Sequence, residues 1–428
     1  MTTKLSPKFT VTLTLLSLIG QIAWVVENMY LNVFIYKMFR ASAADISLMV
    51  AASAVTATLT TVLIGALSDR LGKRKVFICG GYILWGISIL GFALLRMELI
   101  HAFFPGVASA ASLGISLVIA LDCLMTFFGS SANDAAFNAW LTDSTDATNR
   151  GAAEGINAMM PLLAILAVFG GFMAFDLDAP SSWITIFAII GAVVIVVGVL
   201  GCFLLHEPAI QPVRQGYWRT VFHGFLPSTV RDCAALYGTL VCFILFNIAI
   251  QIFMPYLILY YEVSLKMTNY VLVMAPAIVL ASIVTALWGK VYDKHGYALS
   301  MRISLIWLAA GFVILFFFRA TALVFIGSLL MMCGYLSGMA VFGARIRDLT
   351  PVGKAGMFQG VRICSQVLVP GVIGPWIGKL VLANADTVLN SDGTQSFIPN
   401  ANIFAAALVP VVLLVALLLV RKIISRKK

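Results

Sequence analysis

The chain has 428 residues, 61% of them hydrophobic and 11% charged, with a formal charge of +10 and a mean hydropathy of +1.01. Burial saturates in a water-soluble domain and the remaining apolar surface must face solvent, so this composition excludes a soluble globular fold and points to lipid. The seven cysteines (Cys79, Cys123, Cys202, Cys233, Cys242, Cys333 and Cys364) lie in or beside apolar runs without CxxC spacing, and the four histidines do not cluster. Neither a disulfide framework nor a metal site is expected.

Crossing roughly 30 Å of hydrocarbon takes about 20 apolar residues of helix. Runs bounded by charge, Gly or Pro give twelve candidate spans, and an all-α membrane fold is expected. The first, 11–36, follows Lys4 and Lys8 but has no small-residue cleavage site, so it reads as a retained span. It carries Gln21, Trp24, Glu27, Asn28 and Asn32. At about 100° per residue, Gln21, Trp24, Asn28 and Asn32 form one stripe with Glu27 at its edge. A ring beside amides and a carboxyl suits a sugar, whose apolar face the ring covers while the polar groups take its hydroxyls. The same stripe would suit a cationic amphiphile. Glu27 lies about nine residues, roughly 13 Å, inside Tyr36, near the middle of the bilayer. An ionisable group there is costly and faces a cavity or a partner, which makes Glu27 a candidate proton carrier or a helix-to-helix hydrogen bond.

Spans 46–66 and 76–95 flank the segment GALSDRLGKRK, from Gly65 to Lys75. The fourth span, 112–140, carries Ser130, Asn133, Asp134 and Asn138; Ser130, Asp134 and Asn138 are four apart and share a face. Asp134 sits about nine residues from Asp143, again near mid-membrane, and is the second candidate for proton coupling. Asp122 is about 21 residues from Asp143, some 31 Å, and is expected near the outer surface as a solvated end residue. Spans 158–175 and 183–205 complete a first half. The longest polar connection follows, 206–233, with Pro208, Pro212 and Pro227. The expected division is an N-terminal six-helix bundle over 1–205, a cytoplasmic linker over 206–233 and a C-terminal bundle over 234–428.

The seventh span, 234–261, has Asn247 and Gln251 at i, i+4, then Pro255. Spans 270–288, 304–318, 322–344, 361–382 and 403–420 follow. Arg362, early in the eleventh, is a candidate partner for a carboxylate or an anionic ligand, or a snorkelling side chain. With both termini on one side, that side receives 22 of the 28 Lys and Arg and the other receives 6. The positive-inside rule makes the richer side cytoplasmic, and an odd number of spans would scramble the partition. The positive charge is therefore a topology signal, and no nucleic-acid partner is expected.

The two halves repeat. Gly65, Asp69 and Gly72 map onto Gly289, Asp293 and Gly296 of GKVYDKHG at one offset of 224, and Gly151, Glu154 and Gly155 map onto Gly356, Gln359 and Gly360 at 205. The first offset places Gln251 opposite Glu27, a polar but uncharged copy. Parallel six-plus-six repeats are a recognised transporter plan with the substrate site at mid-membrane.

GALSDRLGKRK resembles the signature loop between helices 2 and 3 of the major facilitator superfamily, Gly-x-x-x-Asp-Arg-x-Gly-Arg/Lys-Arg/Lys, and its weaker copy stands in the corresponding second-half loop. The resemblance implies alternating access, a central cavity lined by helices 1, 4, 7 and 10, and a conformational latch formed by Gly65, Asp69, Arg70, Gly72 and Arg74 with Gly289, Asp293 and Gly296. Gly65 and Gly72 would allow close packing and a tight turn, and Asp69 could accept hydrogen bonds from a neighbouring helix N-terminus. The alternative is a loop that anchors topology alone. GQIAWVVEN, from Gly20 to Asn28, resembles the first helix of the sucrose- and glycoside-type proton symporters. The helix-4 Arg of many proton-coupled members is missing from 112–140. GPxxGG of the antiporters is missing from the fifth span, although Gly374-Pro375-x-x-Gly378 stands in the eleventh.

The expectation is a secondary active transporter, a proton-coupled symporter of a sugar or other small polar solute. Glu27 and Asp134 would carry the proton, and Gln21, Trp24, Asn28, Asn32, Asn133, Asn138, Asn247 and Gln251 would contact the solute. An exporter of drugs or metabolites is the alternative; a transporter-like sensor would need a soluble signalling domain. An enzyme is not expected, since HExxH, GxSxG and the P-loop are all missing. The expected partners are the bilayer, the solute and a coupling ion, with no cofactor, the cell membrane as location and the monomer as working unit.

Overall fold

A computed structural model of the protein describes residues 5–107, 109–145, 149–207, 222, 224–267, 269–351, 355–390 and 393–427. Of the sequence features above, Lys4, Pro208, Pro212 and most of the 206–233 linker lie outside these residues. The chain is almost wholly helical, because in hydrocarbon a helix is the one continuous element that meets its own backbone hydrogen bonds without a closed barrel.

The first helical run, α1, is Pro7–Phe39; α2 is Ala43–Leu71, α3 Lys75–Phe92, α4 the short Met97–Phe103, α5 Ala110–Asp143, α6 Arg150–Phe172 and α7 Pro180–Leu204. A short α8, Pro227–Asp232, precedes α9, Ala234–Ser264. Then come α10, Val271–Phe317, α11, Thr321–Leu349, α12 over 355–381 and α13, Asn402–Lys427. Eleven helices among the described residues are long and apolar enough to cross a membrane. The longest, α10, has 47 residues, about 70 Å at 1.5 Å per residue and more than twice what one crossing needs. Its backbone breaks at Gly296 (φ 73°, ψ 179°), leaving helical stretches over 271–295 and 297–317.

Two features lie outside the expected spans, and the second departs from the all-α expectation. Met97–Phe103 forms a short helix between the third and fourth spans. Between α12 and α13, β1 (Thr387–Leu389) pairs antiparallel with β2 (Gln395–Phe397), Thr387 opposite Phe397. Gly393 takes φ 79° in the connecting turn, and the Asn390 N–H donates to the Thr394 carbonyl at 2.8 Å.

The chain forms two compact units. One comprises Met1–Ala41 and Ala52–Arg219; the other comprises Ser42–Ala51 and Thr220–Lys428. In the first, α3 packs along α7 and α1 along α6. Phe34, Phe92, Trp183 and Phe187 fill the space beside them, with the Phe34 and Phe187 centroids 5.0 Å apart. In the second, α9 packs against α12 and α13, and α10 against α11. Its aromatic cluster is Phe253, Tyr260, Phe312 and Phe404.

Helices associate in lipid by close packing, and small residues let the backbones approach. A Cβ at Gly86 would lie 2.6 Å from the Gly191 carbonyl oxygen of α7. At Gly311 it would collide with the Met331 backbone of α11, 2.7 Å from its Cα. Backbone atoms cannot step aside as side chains can. Gly311→Ala should therefore destabilise the purified protein by about 1–3 kcal/mol, lowering its apparent Tm in detergent. Gly80→Ala should leave it unmoved, since nothing lies within 4 Å of the added carbon.

Candidate functional site

The first helical run changes pitch where its polar residues begin. Val26–Tyr30 is a π-helical turn, which widens the helix and leaves carbonyls without their ordinary i+4 donors. Side-chain amides supply the difference: Asn28 Nδ2 donates to the Trp24 carbonyl at 2.8 Å and Asn32 Nδ2 to the Asn28 carbonyl at 2.9 Å. Such turns occur often at functional sites. Glu27 sits on this turn and is 7% exposed. Its Oε1 accepts from Ser53 Oγ of α2 at 2.9 Å and from Thr126 Oγ1 of α5 at 2.8 Å, and the two hydroxyls touch each other at 2.7 Å. Its Oε2 has no hydrogen-bond partner.

A second π-helical turn, Ser130–Phe137, holds Asp134. Ser130 Oγ donates to Asp134 Oδ2 at 2.9 Å, confirming the shared face, and Asn138 Nδ2 donates back to the Asp134 carbonyl at 3.1 Å. Asp134 acts electrostatically on Glu27 but shares no hydrogen-bond partner with it. The structure corrects the placement of Asp122. It is 2% exposed, interacts with Ser53 and lies within electrostatic reach of Glu27. The reason is the length of α5: 34 residues starting at Ala110, so Asp143 projects past the hydrocarbon and is a poor ruler for depth. Measured from Ala110, Asp122 is twelve residues in, and Glu27 is twelve residues from Phe39, about 18 Å in each case.

The expected solute contacts divide into two kinds. Asn133 is buried and donates to the Tyr82 hydroxyl at 2.8 Å, which in turn donates to the Leu16 carbonyl at 2.6 Å. Trp24 Nε1 reaches Asn133 Oδ1 at 3.4 Å, and its ring lies 5.0 Å from that of Trp85. Asn32 is buried as well, as is Asn247, which donates to the Phe243 carbonyl at 2.8 Å. Asn133 and Trp24 tie helices together, whereas Asn32 and Asn247 bond to their own helices one turn back. Asn28 and Asn138 are exposed, while Gln21 and Gln251 are half-buried and make no side-chain hydrogen bond among the described residues. Gln251 is pressed by α12, where Gly374 leaves room for it. Arg362 is exposed near the end of the helical stretch Ala355–Ile363.

The GALSDRLGKRK segment is organised around Arg74. This residue is 4% exposed, pairs with Asp69 at 2.5 Å and Asp143 at 3.0 Å, and donates to Ser68 Oγ at 2.7 Å. Gly72 takes φ 63°, as the tight turn requires, and Gly296 in the second unit takes φ 73°. Two expectations change. Glu207, rather than Asp69, caps the neighbouring helix, accepting from the N–H groups of Arg74 and Lys75 at the start of α3. Gly65 is not at a close approach, since an added Cβ would meet only Ala135 at 3.9 Å. Arg70 is exposed and outside the network. In the second unit Gly289 and Asp293 are exposed, and Tyr292 donates to Asp348 at 2.5 Å. Sequence reading missed Ser53, Thr126, Tyr82, Asp143 and Glu207; of these only Thr126, four residues after Asp122, carried a helical-spacing signal.

The family model described as Major Facilitator Superfamily matches residues 13–360. The chain belongs to the major facilitator superfamily. Among solved structures, a D-xylose-proton symporter aligns over 96% of each chain with a TM-score of 0.70 and 15% identity. The nucleoside transporter NupG aligns over 96% of this chain and 98% of its own, with a TM-score of 0.67 and 14% identity. A bacterial homolog of the human lysosomal transporter Spinster, in an inward-facing and occupied conformation, aligns over 99% and 98%, with a TM-score of 0.66 and 16% identity. No curated protein matches the chain by sequence. The superfamily membership makes it an integral membrane transporter.

Arg74 is the buried member of this network, while Asp69 and Asp143 remain 41% and 28% exposed and can be hydrated without it. Arg74→Ala should therefore cost about 1–2 kcal/mol, read as earlier thermal unfolding of the purified transporter, whereas Arg70→Ala should stay within about 0.5 kcal/mol of wild type.

Proposed function

We propose that this member of the superfamily is a proton-coupled symporter of a sugar or other small polar solute, working by alternating access. The observation that carries the reading is the Glu27 carboxyl: buried, held at one oxygen by two hydroxyls, unpartnered at the other, and in no salt bridge among the described residues. A permanently ionised group in that place would be costly, and a permanently neutral one would be better replaced by an apolar side chain. A carboxyl that takes up and releases a proton during the cycle accounts for both. Asp134, whose charge acts on Glu27, is the second coupling group.

Polar solute contacts fit the four amides left exposed or without a side-chain partner, Gln21, Asn28, Asn138 and Gln251. The xylose and nucleoside transporters among the structural neighbours handle hydroxyl-rich solutes, which supports the same class. The topology proposed with this function has twelve spans, α10 supplying two of them on either side of Gly296. Both termini are cytoplasmic by the distribution of Lys and Arg, and the six-helix halves 1–205 and 234–428 are joined by 206–233. Asp69, Gly72 and Arg74, with their second-half counterparts at Asp293 and Gly296, hold one conformation preferentially.

In liposomes without an imposed gradient, adding a transported glycoside or pentose should raise external pH, and Glu27→Gln should abolish the rise while keeping solute exchange at equilibrium. Silence across a panel of sugars and nucleosides, with protein shown to be folded, would reject symport of this solute class.

A further inference from the structure

Glu27 and Asp122 come from different helices and end in one polar island. Ser53 is the link: its hydroxyl donates to Glu27 Oε1, touches Thr126 Oγ1 and interacts with the Asp122 side chain. Thr126 stands one helical turn after Asp122 and donates to the same Glu27 oxygen. The island thus contains two carboxyls and two hydroxyls from α1, α2 and α5. Both carboxyl residues are more than nine-tenths buried, and each has one oxygen, Glu27 Oε2 and Asp122 Oδ1, with no hydrogen-bond partner.

Buried acceptors are rarely left unmet in a native protein. Two neighbouring carboxyls with unmet oxygens and no cationic side chain are a particular case, because both cannot stay ionised. The titratable groups acting on the pair are Asp134 and Cys123, and neither brings a positive charge. Among the described residues no Lys, Arg or His pairs with either carboxyl. A single small positive charge would balance the pair. The donor set is oxygen only, which suits a proton or a hard alkali cation and does not suit a soft transition metal.

We propose that Glu27 and Asp122, with Ser53 and Thr126, form a binding site for one monovalent cation, a proton or Na+, and that Asp134 stands outside it. The inference rests on the cation-coupled reading above and adds Asp122 to it as the carboxyl that shares the cation with Glu27, Asp134 remaining a coupling group outside the site. Glu27 and Asp122 hold the cation through their unmet oxygens. Ser53 and Thr126 orient the Glu27 carboxyl so that Oε2 is the oxygen left for it.

The test uses the purified full-length protein with no transported solute. Infrared spectra follow protonated buried carboxyl at fixed pH as NaCl replaces choline chloride, and radioactive sodium binding is measured on the same samples. If the site takes Na+, one ion binds per chain and the carboxyl signal falls as it does so. If it takes a proton alone, the signal is indifferent to NaCl and no sodium binds. In either case Glu27→Gln and Asp122→Asn should both remove the shared signal, and Asp134→Asn should leave it. Thr126→Val, which keeps side-chain volume, should weaken sodium binding or shift the titration midpoint by about tenfold in concentration and serves as the check should Asp122→Asn fold poorly. An unchanged signal and unchanged sodium binding in Asp122→Asn would overturn the pairing. Because neither readout involves the solute, a wrong solute class would leave this result standing, and failure of the pair would leave Glu27 free to couple alone.

Discussion

Hydrocarbon offers no water to take up an unmet hydrogen bond, and every other feature of this protein follows from that restriction. It forces the backbone into helices long enough to span, and it forces each polar side chain within them to find a partner on the same or a neighbouring helix. Thr and Ser donate to carbonyls one turn back along most of the spans, as Ser304 does to Ser300 and Thr239 to Ala235. The amides of Asn28, Asn32 and Asn138 satisfy carbonyls released by π-helical turns. Once these local bonds are assigned, the few buried atoms without a partner stand out, and two of them belong to Glu27 and Asp122.

The fold was legible in the sequence because membrane spans announce themselves by length and hydropathy, and because the GALSDRLGKRK segment is specific. The helix ends were less so. Gly65, Asp69 and Arg70 read as a loop but belong to the last turns of α2, since a helix can run past the hydrocarbon into water without changing its composition sharply. The same extension at the end of α5 misplaced Asp122. The Glu27 and Asp134 environments were partly legible: helical spacing put Ser130 beside Asp134. Spacing on a single helix cannot reveal Ser53, whose partner lies 26 residues away on another span, nor Tyr82, which meets Asn133 across 51 residues. Contacts between helices depend on rotation about each axis, and the π-helical turns alter that rotation midway.

The superfamily signature takes a definite physical form here. Its Asp69 pairs with the buried Arg74 guanidinium, while Arg70 stays exposed. Arg74 offers a planar fork to Asp69 and Asp143 while Glu207 caps the first turn of α3, joining the ends of α2, α5, α3 and α7 in one charge network. The second unit keeps the bend at Gly296, and there Tyr292 donates to Asp348 with Arg345 acting on the same hydroxyl. Two related loops therefore hold their helices by different charge arrangements, ion pairs on a buried guanidinium in one and a tyrosine hydroxyl on a carboxylate in the other.

The π-helical turns in α1, α5, α9 and α12 each store one surplus residue. In an α-helix one residue is about 100° of rotation. Moving the surplus along a span by a single position turns the residues it passes through that angle while the two ends keep their anchorage and their length barely changes. A side chain inside such a turn can exchange one neighbour for another by a slip of register, with no tilt of the rod that carries it. Glu27 and Asp134 both sit where that slip would begin.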